Sequence, residues 1–399
     1  MDCSIDDMTG KREGSLLRGL TQKVMNAIRA VSARRIDTEL DQIPFEYNHV
    51  PYKKLFNWIK VEAGVHFNSE KPWGFPTYLH IEPSTLCNLK CAFCPVTTGM
   101  ERPTGLMTYE VFRKTIDELA DYLFLILLWD WGEPFLNPSI YDMIAYAKQK
   151  DVRIISSTNG QVFAQPGNAE KLVRSGIDAI IFAIDGISQG TYEQFRKNGN
   201  LNMALKGIEN VVAAKRSLKS KTPVINFRFI PMKHNEHEIP LLEDFARSLG
   251  VDIMTLKTLN PHDHGEVDAN IATGLSYMPQ DLRYRRFAYD ENGSRIRLAQ
   301  NPCKRPWINP SIHWDGKVSL CTFDAQDHYC MGDLSKESFK KIWWGEVFSN
   351  FRRQFREDYR LIDFCAGCTN AFKGGNLGVE TIIEGHFFDE DVKRKCIAK

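Results

Sequence analysis

The chain has 399 residues and a net charge of +1, so it can hold two or three domains, and its charge gives no reason to expect nucleic acid as a partner. No apolar run is long enough to span a membrane, and the acidic start, with Asp2, Asp6 and Asp7, is unlike a secretory signal. Ten cysteines, seven of them in spacings typical of metal ligands, fit a reducing compartment better than a disulfide framework. We therefore expect a soluble, cytoplasmic protein with metal centres.

Residues 1–70 form the first predicted unit, a helical N-terminal extension. Apolar residues recur there at helical spacing, with basic residues on or beside the other faces: Leu17, Leu20, Val24, Ile28 and Val31. A basic amphipathic helix can lie on a membrane surface, but it more often packs on its own domain with a solvated outer face. We favour the packed arrangement over contact with a membrane.

A cysteine triad follows the first predicted strand of the next unit. Residues 76–82 alternate apolar and polar side chains as a strand does, and they lead to Cys87, Cys91 and Cys94 in the spacing C-x3-C-x2-C. Three thiolates at this spacing can hold three irons of a four-iron cluster and leave the fourth iron open. The alternatives are a structural zinc site and three unrelated buried thiols. Zinc prefers four ligands, typically as two separated pairs, so the cluster is favoured.

The triad, with the aromatic Phe93 just before its third cysteine, resembles the signature of the radical S-adenosylmethionine (SAM) enzymes. The resemblance implies a 4Fe–4S cluster whose open iron is chelated by the methionyl amine and carboxylate of SAM. In that family, an electron from the cluster cleaves SAM and releases a 5'-deoxyadenosyl radical. The resemblance also implies an external one-electron reductant, such as a flavodoxin or a ferredoxin.

The turn after the second predicted strand is similar to the Gly-Glu-Pro turn of that family, which binds the amino group of SAM. The strand at 124–129 runs into Gly132, Glu133 and Pro134. The usual form of the turn has two glycines, and Trp131 stands in the place of the first. The approach of the backbone to SAM is therefore expected to differ on that side.

Two more turns at strand ends resemble SAM-binding elements of the same family. The strand at 152–156 runs into a turn similar to the one that contacts the ribose, and the strand at 179–184 is followed by an arginine, Arg196, of the kind that pairs with the SAM carboxylate. Such turns are weak signals singly, but here they occur in the family's order. The resemblance implies these SAM-binding residues: Gly132, Glu133, Pro134, Ser157, Asn159, Asp185 and Arg196.

The alternation of strands and helices continues through strands at 224–230 and 251–257, with helices at 203–215 and 236–249. Such alternation predicts a parallel sheet with ligands at the carboxyl ends of its strands. The resemblance implies an α/β fold, in which residues 71–260 form a partial (β/α)6 barrel that is open on one side.

A second group of cysteines follows residues 261–302, which we predict to be a linker or a substrate-facing segment. Cys303, Cys321, Cys365 and Cys368, with Gly316 between the first two, are spaced as in the SPASM/twitch extension of radical SAM enzymes. The resemblance implies that residues 303–399 form this extension, in which the four cysteines hold one auxiliary iron–sulfur cluster, expected to be 4Fe–4S. The alternative is a closed zinc site, since four cysteines that end in C-x2-C can also bind zinc.

The two cysteine groups together suggest an activity. The arrangement is similar to twitch-type radical SAM dehydrogenases, which implies an oxidoreductase that oxidises a carbinol of a small polar or carbohydrate-like metabolite and passes an electron to the auxiliary cluster. The alternative is an epimerase of a sugar or a peptide, with Cys330 as the hydrogen donor. The N-terminal segment lacks the three strands of a leader-binding winged helix, which argues against a peptide.

The parity of the barrel strands predicts which polar side chains face the interior. Ile225, Phe227 and Phe229 form one apolar face of their strand, and helices cover the outside of a barrel, so the intervening polar side chains should point inward. The same parity applies to the first and last strands. The candidates for substrate binding and for a catalytic base are His80, Glu82, Asn226, Arg228 and Lys257. The alternative is that they form salt bridges without a catalytic role.

Overall fold

The computed structural model describes residues 25, 27–67, 69–260, 268–292, 294–375 and 382–397. Its strands in this part of the chain are β1 (Ile36–Leu40), β2 (Ile43–Tyr47), β3 (Tyr78–Ile81), β4 (Leu125–Leu127), β5 (Arg153–Thr158), β6 (Ala179–Ala183), β7 (Val224–Phe229), β8 (Ile253–Lys257), β9 (Ser311–Ile312), β10 (Lys317–Ser319), β11 (Cys330–Asp333) and β12 (Ile382–Phe387). β1 and β2 form a hairpin, and the other ten strands form one sheet in the order β11-β10-β9-β3-β4-β5-β6-β7-β8-β12.

The centre of the sheet is a run of six parallel strands, β3 to β8, that are neighbours in chain order. The α/β fold and the six predicted strands are thereby confirmed, with ends that differ from the prediction by a few residues. Parallel strands need long crossovers, and helices fill these connections. The crossover helices are Tyr109–Leu119, Ile140–Gln149, Asn168–Arg174, Gln189–Phe195, Leu201–Ser217 and Leu242–Leu249.

The ends of the crossover helices follow from local sequence. Thr108 precedes the first helix and its hydroxyl accepts from the Val111 N–H at 3.3 Å, and Asn200 caps a later helix in the same way. The helix predicted over 236–249 is divided, because Pro240 interrupts it: a 3-10 helix spans Glu236–Leu241 and the α-helix begins at Leu242.

The remaining helices lie in the N-terminal extension, in the loops and in the C-terminal region. The α-helices are Tyr52–His66, Pro95–Thr98, Asp268–Ser276, Arg305–Ile308, Phe339–Trp343, Glu346–Asp358, Asp363–Gly367 and Glu390–Ile397. The 3-10 helices outside the divided one are Pro134–Leu136, Gln161–Ala164, Leu282–Tyr284, Tyr359–Leu361 and Thr369–Ala371. Within the described ranges, none of the helices has the length and apolar character needed to cross a membrane.

The N-terminal extension contains a β-hairpin, which the prediction of a helical extension did not include. Ile43, Phe45 and Tyr47 of β2 are buried against the inner face of the barrel sheet, in a core with Leu127 and Ile181. This alternation of apolar residues has the period of a strand and not of a helix. The helical prediction holds for residues 27–33 and for Tyr52–His66, whereas residues 1–24 lie outside the described part.

The C-terminal region extends the barrel sheet at both edges. β9 pairs in parallel with β3, and β10 and β11 continue outward from β9. At the other edge, β12 pairs antiparallel with β8. The predicted divisions of the chain after residues 70, 260 and 302 stay predictions. The strands after residue 303 belong to the same sheet as the barrel strands.

Candidate active site

The first cysteine triad lies in the long loop that follows β3. Its thiols share an apolar cluster with Leu89, Phe195 and other side chains beside the barrel. Burial raises the pKa of Cys87 to about 11 and that of Cys94 to about 12, and the pKa of each is raised further by the thiol of Cys91. The three thiols are therefore neighbours in space. Cluster irons would supply the positive charge that buried thiolates need, so the site fits the cluster.

The turn after β4 packs directly against this loop. Gly132 has a φ of +87°, and a Cβ there would lie 2.4 Å from the carbonyl oxygen of Ser84, so only glycine fits. The N–H of Glu133 donates to the carbonyl of Leu86 at 2.8 Å. Trp131, in the place of the first family glycine, donates its Nε1–H to the carbonyl of Thr322 at 3.1 Å. The unusual tryptophan thus connects the turn to the C-terminal region.

Glu133 is a buried carboxylate at the carboxyl ends of β4 and β5, and Pro134 begins the 3-10 helix after it. It accepts from the Thr158 hydroxyl and from the Asn159 N–H, both at 2.8 Å. Burial raises the pKa of Glu133 to about 7. Among the described residues it forms no ion pair within 4 Å, so the amino group of SAM would be a suitable partner.

The turn after β5 reaches the cysteine loop from the other side. Asn159 donates from its side chain to Asn88 at 2.7 Å and accepts from the Gln161 N–H at 3.1 Å, while Ser157 is half-buried on β5. The amide of Asn159 is therefore held in one orientation beside the triad. Contacts of Ser157 and Asn159 with SAM stay predictions.

Asp185 and Arg196 form a buried ion pair next to the triad. Asp185 accepts from Arg196 Nε at 2.7 Å and from the Ile230 N–H at 3.0 Å, which positions the guanidinium. Arg196 Nη1 lies 3.9 Å from the Sγ of Cys91. The carboxylate of Asp185 is thus bonded to Arg196, and its direct contact with SAM stays a prediction.

The predicted parity of β7 is confirmed, since Ile225, Phe227 and Phe229 lie in the core shared with the covering helices. On the inner face, Asn226 accepts from the Thr255 hydroxyl at 3.0 Å. Arg228 forms an ion pair with Asp41 at 2.9 Å. The inner polar residues of β7 are therefore brought together with groups from β8 and from the N-terminal hairpin.

Asp41 was missed by sequence analysis and is central to this interior. It lies in the turn between β1 and β2, where Asp41 and Gln42 both have positive φ, and it also pairs with Lys257 at 3.4 Å. Burial lowers the pKa of Lys257 to about 8, although Asp41 opposes this effect. The arrangement gives the barrel an amine whose pKa lies well below that of an exposed lysine.

His80 on β3 and Glu82 just after it have different environments. His80 donates from Nδ1 to Asn309 Oδ1 at 3.2 Å, and burial, with the charge of Arg305 as the second cause, lowers its pKa to about 3. Glu82 forms a buried ion pair with Arg102, whose Nη1 donates at 2.8 Å, and it also accepts from the Trp314 N–H. Both carboxylate oxygens of Glu82 are bonded, which favours the salt-bridge alternative for this residue.

The four C-terminal cysteines line one cavity. Cys303, Cys321, Cys365 and Cys368 surround it with mainly apolar side chains. Burial raises the pKa of all four thiols, and neighbouring thiols of the group raise several of them further. Arg305, a further residue missed by sequence analysis, also lines the cavity, and its Nη1 is buried without a hydrogen-bond partner in the described part of the chain.

Four buried thiolates around one cavity fit a 4Fe–4S cluster, because such a cluster takes four cysteine ligands, one for each iron. Across the described ranges, no group of three or more His, Cys, Asp or Glu side chains is arranged to hold a metal ion directly. Cys330 lies outside the cavity: it is exposed on β11, at the outer edge of the sheet.

Comparison with curated proteins finds relatives over most of the chain. A tungsten-containing aldehyde ferredoxin oxidoreductase cofactor-modifying protein of Pyrococcus furiosus is 24% identical over 316 residues, which are 73% of this chain and 87% of that protein. An AdoMet-dependent heme synthase of Methanosarcina barkeri is 28% identical over 337 residues, which are 73% of this chain and 91% of that protein. Mycofactocin maturase MftC of Mycobacterium tuberculosis is 25% identical over 312 residues, 73% of this chain and 75% of that protein.

Among solved structures, SuiB of Streptococcus suis bound to S-adenosylmethionine has a TM-score of 0.54 at 15% identity, over 77% of this chain and 74% of that one, which shows a shared fold. Family models match residues 81–244 to the radical SAM superfamily and residues 303–369 to SPASM, an iron–sulfur cluster-binding domain. The second match favours iron–sulfur over zinc for the C-terminal cysteines. The cofactors are a 4Fe–4S cluster, SAM and auxiliary iron–sulfur cluster binding in the SPASM domain. The chain is therefore a radical SAM enzyme with a C-terminal SPASM domain.

Proposed function

We propose that this enzyme oxidises a carbinol of a small polar or carbohydrate-like metabolite to a carbonyl. The observation that carries the proposal is the cavity lined by Cys303, Cys321, Cys365 and Cys368, which provides four thiols for one auxiliary cluster. When bound, the radical SAM cofactors supply hydrogen-atom abstraction and the auxiliary cluster supplies an electron acceptor. The names of the similar curated proteins refer to different products, so the substrate class rests on the polar interior of the barrel.

The chain's own residues have to remove the hydroxyl proton in this reaction. Lys257 is suited to do so, because its pKa of about 8 leaves a useful fraction of neutral amine near physiological pH. Arg228 and Asp41 hold the interior around it through their ion pair. The low pKa of His80 makes its imidazole a neutral hydrogen-bonding group and a weak base. We therefore assign Lys257 as the base.

The position of Cys330 supports oxidation over epimerisation. An epimerase returns a hydrogen atom to the substrate from a thiol within reach of the reacting carbon. Cys330 is exposed on β11, with β10 and β9 between it and the barrel strand β3. A thiol at the outer edge of the sheet cannot contact a substrate in the barrel interior.

Turnover in heavy water tests the proposal. Oxidation lowers the product mass by two units and leaves no solvent deuterium at the reacting carbon, and the Cys330→Ala variant should match the parent enzyme. An epimerase gives a product of unchanged mass in ordinary water and gains one deuterium in heavy water. That second pattern, measured by mass spectrometry, would overturn the assignment.

Two further parts of the proposal concern the cell. Radical SAM enzymes need a reductant, and we propose a flavodoxin or a ferredoxin as the one-electron donor for this one. A cytoplasmic location is proposed because cysteine ligands must stay reduced to bind iron. Reduction by purified flavodoxin, measured as SAM cleavage without dithionite, tests the first part.

A further inference from the structure

We propose that the substrate carries an oxyanion, a carboxylate or a phosphate, and that Arg286 and Arg228 bind it inside the barrel. This inference rests on the proposed function, because it describes the substrate of the same site. Three hydrogen-bond donors that are buried in the barrel interior or beside it have no acceptor within the described part of the chain.

The first donors lie on the inner face of β7. Arg228 is 6% exposed and Asn226 is fully buried. One guanidinium nitrogen of Arg228 is bonded to Asp41, but its Nε has no partner among the described residues, and neither does Nδ2 of Asn226. A buried donor without an acceptor costs about 1–3 kcal/mol. Two such donors at alternate positions of one strand therefore indicate that an acceptor arrives with a ligand.

The third donor comes from the segment between the barrel and the first C-terminal cysteine. Arg286 is 7% exposed, and one of its nitrogens donates to the carbonyl of Gly375 at 3.2 Å. Its Nε is buried without a partner, and it forms no ion pair with a carboxylate of the described ranges. The positive charge of Arg286 is one of the causes that lower the pKa of Lys257, which links Arg286 to the charges of this interior.

The charges of this interior do not balance. Arg228 and Lys257 share the carboxylate of Asp41, and Arg286 adds a further positive charge. A buried cation is strongly destabilising unless it is paired. A guanidinium offers parallel N–H groups that match a carboxylate or a phosphate, and Nε of Arg286 is one of them. An anionic substrate group would satisfy the charge and the donors together.

Arg286 also lies near the thiol of Cys368, which offers a competing role. In that case Arg286 would serve the auxiliary cluster and not the substrate. The two roles differ in what changes when the arginine is replaced: an anion-binding residue changes ligand affinity, whereas a cluster-tuning residue changes the reduction potential of the cluster.

The test uses the full-length enzyme with both clusters reconstituted. Isothermal titration calorimetry measures the binding of succinate, inorganic phosphate and the uncharged succinamide. The variants are Arg286→Gln, the conservative Arg286→Lys, and the matched control Arg283→Gln, since the side chain of Arg283 is 77% exposed and pairs with Asp281. SAM cleavage with dithionite and the potential of the auxiliary cluster are measured on each protein.

We expect an anion to bind the parent while succinamide does not, with at least about tenfold weaker binding in Arg286→Gln and partial recovery in Arg286→Lys. Tighter binding of succinate identifies a carboxylate, and tighter binding of phosphate identifies a phosphate. The Arg283→Gln control should keep the anion affinity and the SAM cleavage of the parent. The proposal is overturned if neither anion binds the parent, or if the variants alter the cluster potential and leave anion affinity unchanged. The mass of the product tests the oxidation separately.

Discussion

At the scale of single residues, the assignment of Lys257 as the base predicts how kcat/KM depends on pH. As the base it must be neutral, so kcat/KM should rise with pH and level off above about 8, the pKa to which burial lowers Lys257. The Asp41→Asn variant removes a negative charge that raises this pKa, so its pH profile should move to lower pH. Rates measured from about pH 6 to about pH 9 test both statements.

The control is the Lys257→Met variant, which should lose about 100-fold or more in rate and show no rise near pH 8. If the parent and the Asp41→Asn variant gave the same profile, the ion pair would not act on the base.

The glycine at position 132 carries a second prediction at this scale. Gly132→Ala places a Cβ 2.4 Å from the Ser84 carbonyl, so the cysteine loop has to move, and the enzyme should lose SAM binding and cluster iron. Gly167→Ala is the matched control, because Gly167 has nearly the same φ, +81°, with no atom within 4 Å of the added Cβ.

Iron analysis and SAM titration compare the two glycine variants. The control should keep its iron and lose only about 1 kcal/mol of stability through backbone strain. Equal losses of iron in both variants would mean that positive φ, and not the contact with the cysteine loop, explains the need for glycine at position 132.

At the scale of elements, the hairpin of β1 and β2 supports the inner face of the barrel. Phe45 is 4% exposed in that core, so Phe45→Ala should cost about 3–5 kcal/mol in the free energy of unfolding. Phe56 is 52% exposed, and Phe56→Ala should cost no more than about 0.5 kcal/mol. Denaturant unfolding of both variants makes the comparison. Similar values would show that the hairpin contributes little to the barrel.

The six barrel strands and both cysteine groups could be predicted because their signals are local. Each strand is a short apolar run followed by a turn, and the cysteine spacings are readable within a few dozen residues. The hairpin was missed because its period-two pattern, Ile43, Phe45 and Tyr47, is short and lies near a longer helical pattern.

The contacts of the interior could not be predicted, because they join distant parts of the chain. Asp41 and Arg228 are 187 positions apart, and nothing near Asp41 in sequence marks it as the partner of a barrel residue. Arg102 and Glu82 are closer in sequence, 20 positions apart, but the whole cysteine loop lies between them. The alternation of side chains along the strand predicted that Glu82 would point away from the helices. Only the fold shows that its carboxylate forms a salt bridge with Arg102.

At the scale of the whole molecule, the C-terminal region and the barrel form one frame for the two cysteine sites. β9 pairs with β3, Trp131 donates to Thr322, and Arg102 donates to the carbonyl of Ala325 at 2.6 Å. These contacts join the barrel to the C-terminal region, which carries the four-cysteine cavity.

The central claim is that the two cysteine groups hold separate clusters with separate roles. Iron content and 5'-deoxyadenosine formation of the variant with Cys87, Cys91 and Cys94 all changed to Ala test it most directly. The account predicts a loss of about four irons per chain, a remaining auxiliary cluster signal and no 5'-deoxyadenosine. Unchanged iron content, or 5'-deoxyadenosine formed by the variant, would contradict it.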